Sequence, residues 1–503
     1  MPRKKISHSA PLEPVIGLEI HVQLKTKSKM FCSCPNILGA APPNSAICPI
    51  CLGYPGTLPV PNATAIDWTL KAGAALNCVL ATKSKFDRKS YFYPDLPKGY
   101  QISQYDEPFC GPGSLTITVG EQAHTVGITR IHLEEDAAKN IHPAAADYTL
   151  IDFNRAGTPL MEIVTEPDIT TPAVAKVFLQ ELQLLMRALD IADADMEKGQ
   201  LRCDANISLR EVGSTKLYPK TEVKNLNSFR NVERALNYEI ERQTKLWQKG
   251  KLPPEPGTRG FNAKTGVTTA QRTKEAAADY RYFPEPDIPP FIFNKEELQR
   301  VRRSLPELPA ARRERFTRDL AVSPQTASLL VAQPLLSHFF ENTVSELQQQ
   351  AKERADFPGP LPQLVQLAAN IIMRQIRDLM AVNELTEKDL KITAENFAEL
   401  VILVEQGKVN RTSLTPLLQK MQETGGDPDP LIAQLGLAQE SDISQLQQYV
   451  DEVIAANPEV VAKIKGGKET AVQFLMGQVM AKSKGIANPA VITMLLKQRL
   501  QET

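Results

Sequence analysis

Four cysteines, in the pattern Cys32-x-Cys34 and Cys48-x-x-Cys51, constrain this chain more than any other local feature. Two close pairs separated by a short loop can wrap four thiolates around one tetrahedral zinc ion. Pro35, Gly39, Pro42, Pro43 and Pro49 suit a stiff, turn-rich loop around them. The competing reading is four unrelated core cysteines, or two disulfides. If zinc is bound, all four ligands are cysteine, so the site is closed and structural rather than catalytic.

A chain of 503 residues is long enough for two to four domains. Its 58 basic and 58 acidic residues cancel, so any nucleic-acid contact must come from a local patch. Seven cysteines, four of them in a zinc pattern, fit a reducing compartment better than a secreted disulfide scaffold. No apolar run reaches transmembrane length, and the basic start lacks the apolar stretch of a signal peptide. The expectation is a soluble cytoplasmic protein with no membrane partner.

Patterning divides the chain. Residues 15–24, 115–119, 124–128 and 207–209 alternate apolar and polar side chains as half-buried strands do. Two helices interrupt them, over about 172–189 and 231–249. A proline cluster at 283–290 ends this region, and a Leu/Gln/Glu/Lys/Arg composition with helical spacing follows. Helices are expected to start near Lys295, Pro309, Ser323, Ser337 and Pro362. A second break at 424–430 sets off a last helical piece. The fold class is therefore α+β: a large β-rich domain (1–295), an all-α domain (296–430) and a small α-helical tail (431–503).

Chemistry concentrates in the first domain. Glu19 and His21, two apart on a strand, share a face and together can bind a divalent cation. Glu134, Glu135 and Asp136 follow a strand, Asp204 and Asn206 share a face of another, and Glu162 would be costly to bury unpaired. Carboxylates converging in a β-rich domain suit magnesium. Cation-rich runs around Lys89 and Lys98, around Lys224, and at 154–159 can cradle phosphate oxygens. No phosphate-binding P-loop and no dinucleotide fingerprint is present, nor can a hydrolase triad be assembled. Residues 460–500 carry seven basic side chains against one acid, among them Lys463, Lys465, Lys468, Lys482 and Lys484. A basic helical face of this kind can meet RNA phosphates, or be a plain solvated surface.

Several blocks together resemble one family, the B subunit of the glutamyl-tRNA(Gln)/aspartyl-tRNA(Asn) amidotransferase. They are residues 13–24, the cysteine quartet, 91–104, Asp152-Phe-Asn-Arg-Ala-Gly-Thr-Pro-Leu-Met-Glu-Ile-Val-Thr-Glu-Pro-Asp168, 201–208, 220–228 and 279–287, with further segments near the C-terminus. The resemblance covers essentially the whole chain. It implies a cradle-like catalytic domain with a zinc knuckle at 32–51, and a tail that grips tRNA through Lys463, Lys465, Lys468, Lys482 and Lys484.

The implied reaction is an ATP-dependent ligation. The side-chain carboxylate of misacylated Glu-tRNA(Gln) or Asp-tRNA(Asn) is phosphorylated, and ammonia displaces the phosphate. By position, Glu19, His21, Glu134, Glu135 and Asp204 are carried over as catalytic and magnesium residues. Lys89, Lys98 and Lys224 are carried over as phosphate contacts. The implied cofactors are ATP, Mg2+ and structural Zn2+. Partners would be the amidase subunit, which acts as the glutaminase, a small third subunit, the misacylated tRNA and a non-discriminating aminoacyl-tRNA synthetase. The rival readings are a non-catalytic zinc-knuckle tRNA-binding scaffold and a self-contained amide ligase using free ammonia.

Overall fold

A computed structural model of the chain describes residues 11–143, 146–251, 255–271, 280–385, 389–437, 443–465, 471–483, 487 and 489–502. The chain forms two compact units, Met1–Leu308 and Pro309–Thr503. The first begins with β1 (Leu12–Gln23), α1 (Ala63–Ala75), β2 (Lys83–Ser84), β3 (Asp87–Ser90) and β4 (Tyr100–Ser103). Next come β5 (Gly113–Val119), β6 (Gln122–Glu135), β7 (Lys139–Ile141), β8 (Leu150–Asp152), β9 (Pro159–Thr165) and α2 (Pro172–Ala188). It closes with β10 (Leu201–Glu211), β11 (Thr221–Leu226), α3 (Phe229–Gln248), β12 (Gly257–Asn262), β13 (Val267–Ala270), β14 (Phe283–Pro284), β15 (Phe291–Ile292) and α4 (Lys295–Arg303).

Strand β1 lies inside an eight-stranded sheet of order β13-β12-β11-β10-β1-β9-β6-β5. Its pairs are antiparallel except β11 with β12. The alternation in β1 explains its place. Ile16, Leu18, Ile20 and Val22 are fully buried on one face, while Glu19, His21 and Gln23 project from the other. The apolar face joins one core with Phe178, Leu182 and Leu185 of α2 and Val232 and Leu236 of α3. Each such side chain contributes about 1.5–3 kcal/mol by leaving water. Thr171 caps α2, its hydroxyl accepting from the Val174 N–H at 3.2 Å, and Pro172 opens the first turn. With helices against one face, the opposite face is left for polar groups.

Helix α1 has no counterpart in the sequence pattern. Its Ala-rich segment is buried at Ala65, Leu70, Ala72, Ala74 and Ala75, so little polar stripe marks it. Its cap is local: the Asn62 side chain accepts from Thr64 and Ala65 N–H.

The second unit holds α5 (Pro309–Arg318), α6 (Pro324–Val331), α7 (Pro334–Glu353), α8 (Leu361–Ile371), α9 (Arg377–Val382), α10 (Ala394–Glu405), α11 (Leu414–Thr424) and α12 (Pro428–Leu435). A π-helical turn, Ile372–Ile376, joins α8 to α9. Then come α13 (Ile443–Ala456), α14 (Pro458–Lys465), α15 (Val472–Lys482) and α16 (Pro489–Glu502). Leu446, Val450, Leu475, Val479, Ile492 and Leu496 form a separate buried core for these last four. Helix α4 starts at Lys295 behind an Asn294–Glu297 capping box, and α7 starts at Pro334, one turn before Ser337. Among the described residues, no helix is long and apolar enough to cross a membrane.

Candidate active site and metal centre

The polar face of the sheet carries the site. On β1, His21 stands opposite Arg202 of β10 and Glu162 of β9, and Glu162 stands opposite His132 of β6. Register alone thus lines up Arg202, His21, Glu162 and His132 across four strands. Glu162 accepts from both imidazoles: its Oε2 lies 3.3 Å from His21 Nε2 and 3.2 Å from His132 Nε2. Glu134, two residues beyond His132 and so on the same face, lies 3.6 Å from His132 Nε2 and 3.9 Å from His21 Nε2. Ser103 Oγ donates to Glu134 Oε2 at 2.9 Å.

His21, Glu134 and Glu162 each bring a ligand atom within 4.8 Å of the others. Two carboxylates and one imidazole are a donor set that fits a divalent ion such as magnesium through its oxygens.

The electrostatics follow from burial and pairing. Burial works against a charged His132, but Glu162 and Glu134 outweigh it and push its pKa up to about 9. His21 is raised for the same reason. Burial pushes Glu162 up, and the two histidines more than reverse this, leaving it well below the carboxylate range. Glu134 is also lowered, chiefly by His132 against its burial. Lys89 is half-buried beside this cluster, 4.9 Å from the Tyr280 ring centre. Burial opposes its charge, and the Glu134, Tyr282 and Glu162 fields keep its pKa above the ordinary value.

The other carboxylates singled out in the sequence lie around this cluster. Glu19 and Asp204 face each other directly across β1 and β10, one row along from His21. Glu19 accepts from Asn206 Nδ2 at 2.8 Å, and Asp204 accepts from Lys224 Nζ at 2.6 Å. Lys224 also lies 3.0 Å from Glu222. Glu135 projects to the other side of β6 from Glu134. There it pairs with Lys98 and accepts the Ile102 N–H at 3.0 Å. Asp136, just past β6, accepts from Arg202 at 2.6 Å and from Gln23 at 2.9 Å.

The structure therefore joins His21 and Glu134 of the expected set to Glu162, and adds His132, which pairs with both carboxylates. His132 was legible in principle, since Arg130, His132 and Glu134 alternate on one side of a strand.

The four knuckle thiols also converge. Cys32, Cys34, Cys48 and Cys51 bring their sulfurs within 4.8 Å of one another. The backbone N–H of Cys48 donates to Cys51 Sγ at 3.2 Å. The Cys51 thiol is brought down to about 5, first by a hydrogen bond with Cys32, and by Cys48 and Lys29 against its burial. Cys34 is raised to about 11 by burial and by Cys48. Four sulfurs so placed can hold zinc.

In the tail, Lys482 closes α15 and pairs with Glu452 of α13. Helix α14 carries Lys463 and Lys465, whose side chains lie outside the described residues, as do Lys468 and Lys484 entirely.

Comparison with known proteins gives a consistent result. The family model for the GatB/GatE catalytic domain matches residues 14–299, and that for the GatB domain matches residues 362–500. The B subunit of an aspartyl/glutamyl-tRNA(Asn/Gln) amidotransferase from Thermomicrobium roseum is 46% identical over 492 residues, 97% of this chain and 99% of the relative. Proteins of the same name from Dehalococcoides mccartyi (strain CBDB1) and Thermotoga maritima are 45% and 44% identical over 496 and 494 residues, with the same coverage. The catalytic-domain match contains the whole histidine–carboxylate cluster, and the chain belongs to the family of aspartyl/glutamyl-tRNA(Asn/Gln) amidotransferase B subunits.

Proposed function

We propose that this chain activates the side-chain carboxylate of Glu-tRNA(Gln) or Asp-tRNA(Asn) with ATP and amidates it. The carboxylate oxygen attacks the γ-phosphorus, and the bond to ADP breaks. Ammonia then adds its lone pair to the acyl carbon, the acyl–oxygen bond to phosphate breaks, and inorganic phosphate leaves with the proton that ammonia gives up as the amide forms. A carboxylate is a poor electrophile, so the acyl phosphate supplies the leaving group that amidation needs.

The observation that carries this reading is the His21–Glu134–Glu162 cluster, its carboxylates buried and its imidazole half-buried, on the polar face of the sheet within the matched catalytic domain. A magnesium ion held by the Glu134 and Glu162 carboxylates, with His21 reaching it through water, would offset charge on the phosphates during transfer. Glu19, Asp204 and Glu135 flank it, each already held by a cation or an amide. Lys89 beside the cluster and Lys224 beside Asp204 supply positive charge for phosphate oxygens, and Lys98 does so from the Glu135 side of β6. A pure tRNA-binding scaffold has no use for two carboxylates and an imidazole kept buried together beside a second, half-buried imidazole, since such a group is costly to desolvate.

The amidase partner would release the ammonia from glutamine, and a small third protein would hold the two together. Zinc in the thiol cluster would hold the knuckle loop, the basic tail would contact tRNA, and the complex would work in the cytoplasm.

The test is direct. The purified chain with magnesium, ATP, high ammonium and each misacylated tRNA should yield amidated tRNA, whereas glutamine should serve only once the amidase partner is added. Absence of ATP-dependent amidation of either tRNA with ammonium would overturn the reading.

A further inference from the structure

Lys29 is almost completely inaccessible, at 1% exposure, which is rare for an ammonium. A buried cation is tolerated only when its charge and its protons are met. Its Nζ donates to Ala46 O at 2.8 Å, to Phe153 O at 3.3 Å and to Cys51 Sγ at 3.7 Å. Among the described residues no carboxylate lies within ion-pair distance of it, so the anionic partner it faces is the thiol cluster. Four thiolates around a divalent cation leave a net charge of −2, and a fixed ammonium beside them offsets part of it.

The same side chain bridges to the turn after β8. Its carbonyl partner Phe153 opens residues 153–158, which fasten to both sides. Toward the knuckle, the Asn154 side chain accepts from Ala46 N at 2.9 Å and donates to Pro42 O at 2.7 Å. Gly157, at φ +86°, holds the left-handed backbone that favours glycine and packs beside Lys29, where an added Cβ would be in ordinary contact, 3.5 Å from Lys29 Cδ and 3.6 Å from Cys51 Cβ. Toward the catalytic face, Gly157 N donates to Asp136 O at 2.9 Å and Asp136 N to Thr158 O at 2.8 Å. Arg155 donates to the carbonyls of Ala137 and Ala138 and lies 3.7 Å from Asp136 Oδ2. Asp136 in turn holds Arg202 and Gln23 on the polar face.

We propose that Lys29 is a positioning residue that couples metal occupancy of the four-cysteine cluster to the 153–158 turn and, through Asp136, to the Arg202 end of the catalytic row. With the ion bound, the thiolate charge holds the ammonium in place and the ammonium holds the Phe153 carbonyl. Without the ion, the anionic partner is weakened and the turn loses its anchor.

The experiment uses the full chain loaded with zinc. In the wild type, stripping zinc with a chelator should raise amide hydrogen exchange at residues 155–158 at least ten-fold, while exchange in α2 and α3 stays unchanged. In Lys29→Met, which keeps the bulk and removes the charge, zinc should pass to a chromogenic chelator at least ten-fold faster. The 155–158 amides should exchange quickly even with zinc bound. Lys29→Arg, which keeps the charge, should restore slow release. The proposal is overturned if stripping leaves 155–158 as protected as before, if the wild type takes up no zinc, or if Lys29→Met releases zinc at the wild-type rate. The wild-type stripping arm decides the matter even if the methionine variant does not fold.

Discussion

His132 Nε2 on β6 lies 3.2 Å from Glu162 Oε2 on β9, at positions that face each other in the strand register. Glu162 meets His21 on its other side, so one carboxylate is shared by two imidazoles at the centre of a sheet face. Few arrangements hold so much charge out of water, and what they do depends on pH and on each member being present.

The pH dependence has a definite sign. The folded pKa of His132, about 9, lies above the ordinary 6.5. Its contribution to stability is therefore complete below pH 6.5 and is lost as pH rises through 9, with a ceiling of about 3 kcal/mol. Urea denaturation of the metal-free chain at intervals between pH 6 and 9.5 should show that decline, and His132→Gln should flatten it. An equally steep decline in the variant would assign the effect elsewhere.

Glu162→Gln should be more damaging to activity than any substitution among the flanking carboxylates. The amide keeps the shape but removes the negative charge that both histidines face and one of the three groups able to hold an ion. ATP-dependent amidation with ammonium should fall by about 100-fold or more, with a raised magnesium requirement. Glu135→Gln should cost less, since Glu135 acts on the other side of β6 through Lys98 and the Ile102 amide. Comparable losses in the two variants would contradict the assignment.

That contrast shows what the sequence could and could not reveal. Alternation in β1 placed Glu19 and His21 on one face, and the structure agrees, because a strand with one buried face leaves no freedom of register. Choosing between Glu134 and Glu135 needed the register of β6 against β9, which adjacent glutamates do not disclose. Glu162 stood out as a carboxylate among apolar neighbours, but its partners come from strands over a hundred residues upstream and about thirty residues upstream. The cysteine quartet was legible because its ligands are local. The buried Lys29 beside it was not, since Lys25, Lys27 and Lys29 look alike in a polar run and only packing separates them. Helix α1 escaped notice because it is buried on nearly all sides, and amphipathic spacing marks only helices with a wet face.

Glu239 makes a second buried centre, on the helix side of the sheet. It is fully buried on α3 and accepts from Arg242 at 2.7 Å, Gln243 at 3.0 Å and Thr268 at 2.5 Å, with Arg259 at 3.3 Å. Burial pushes its pKa up, and Arg242 and its other donors more than reverse this. A lowered folded pKa means that its stabilisation is present above pH 4.5 and is lost as pH falls. Glu239→Gln should leave two guanidinium groups short of a counter-charge and cost about 3–5 kcal/mol in urea denaturation at pH 7. A smaller difference between variant and wild type at pH 3 than at pH 7 would confirm the cause.

The tail can be removed to test its role in tRNA binding. Helices α13 to α16 bury their own core, so ending the chain at Leu437 removes a piece that packs on itself. The shortened protein should keep its far-ultraviolet helical signal in proportion to its length and keep ATP-dependent chemistry at saturating tRNA. Its tRNA affinity should fall by about ten-fold or more, and the plot of log affinity against log salt should become shallower by about 0.7–0.9 for each phosphate that is no longer neutralised. Lys482→Glu alone should have a smaller effect, because Glu452 already neutralises part of that charge. Affinity and salt slope unchanged by the truncation would move the tRNA-binding surface to the residues before 438. The 155–158 turn, with Arg155 beside Asp136, would then be the first place to look for it.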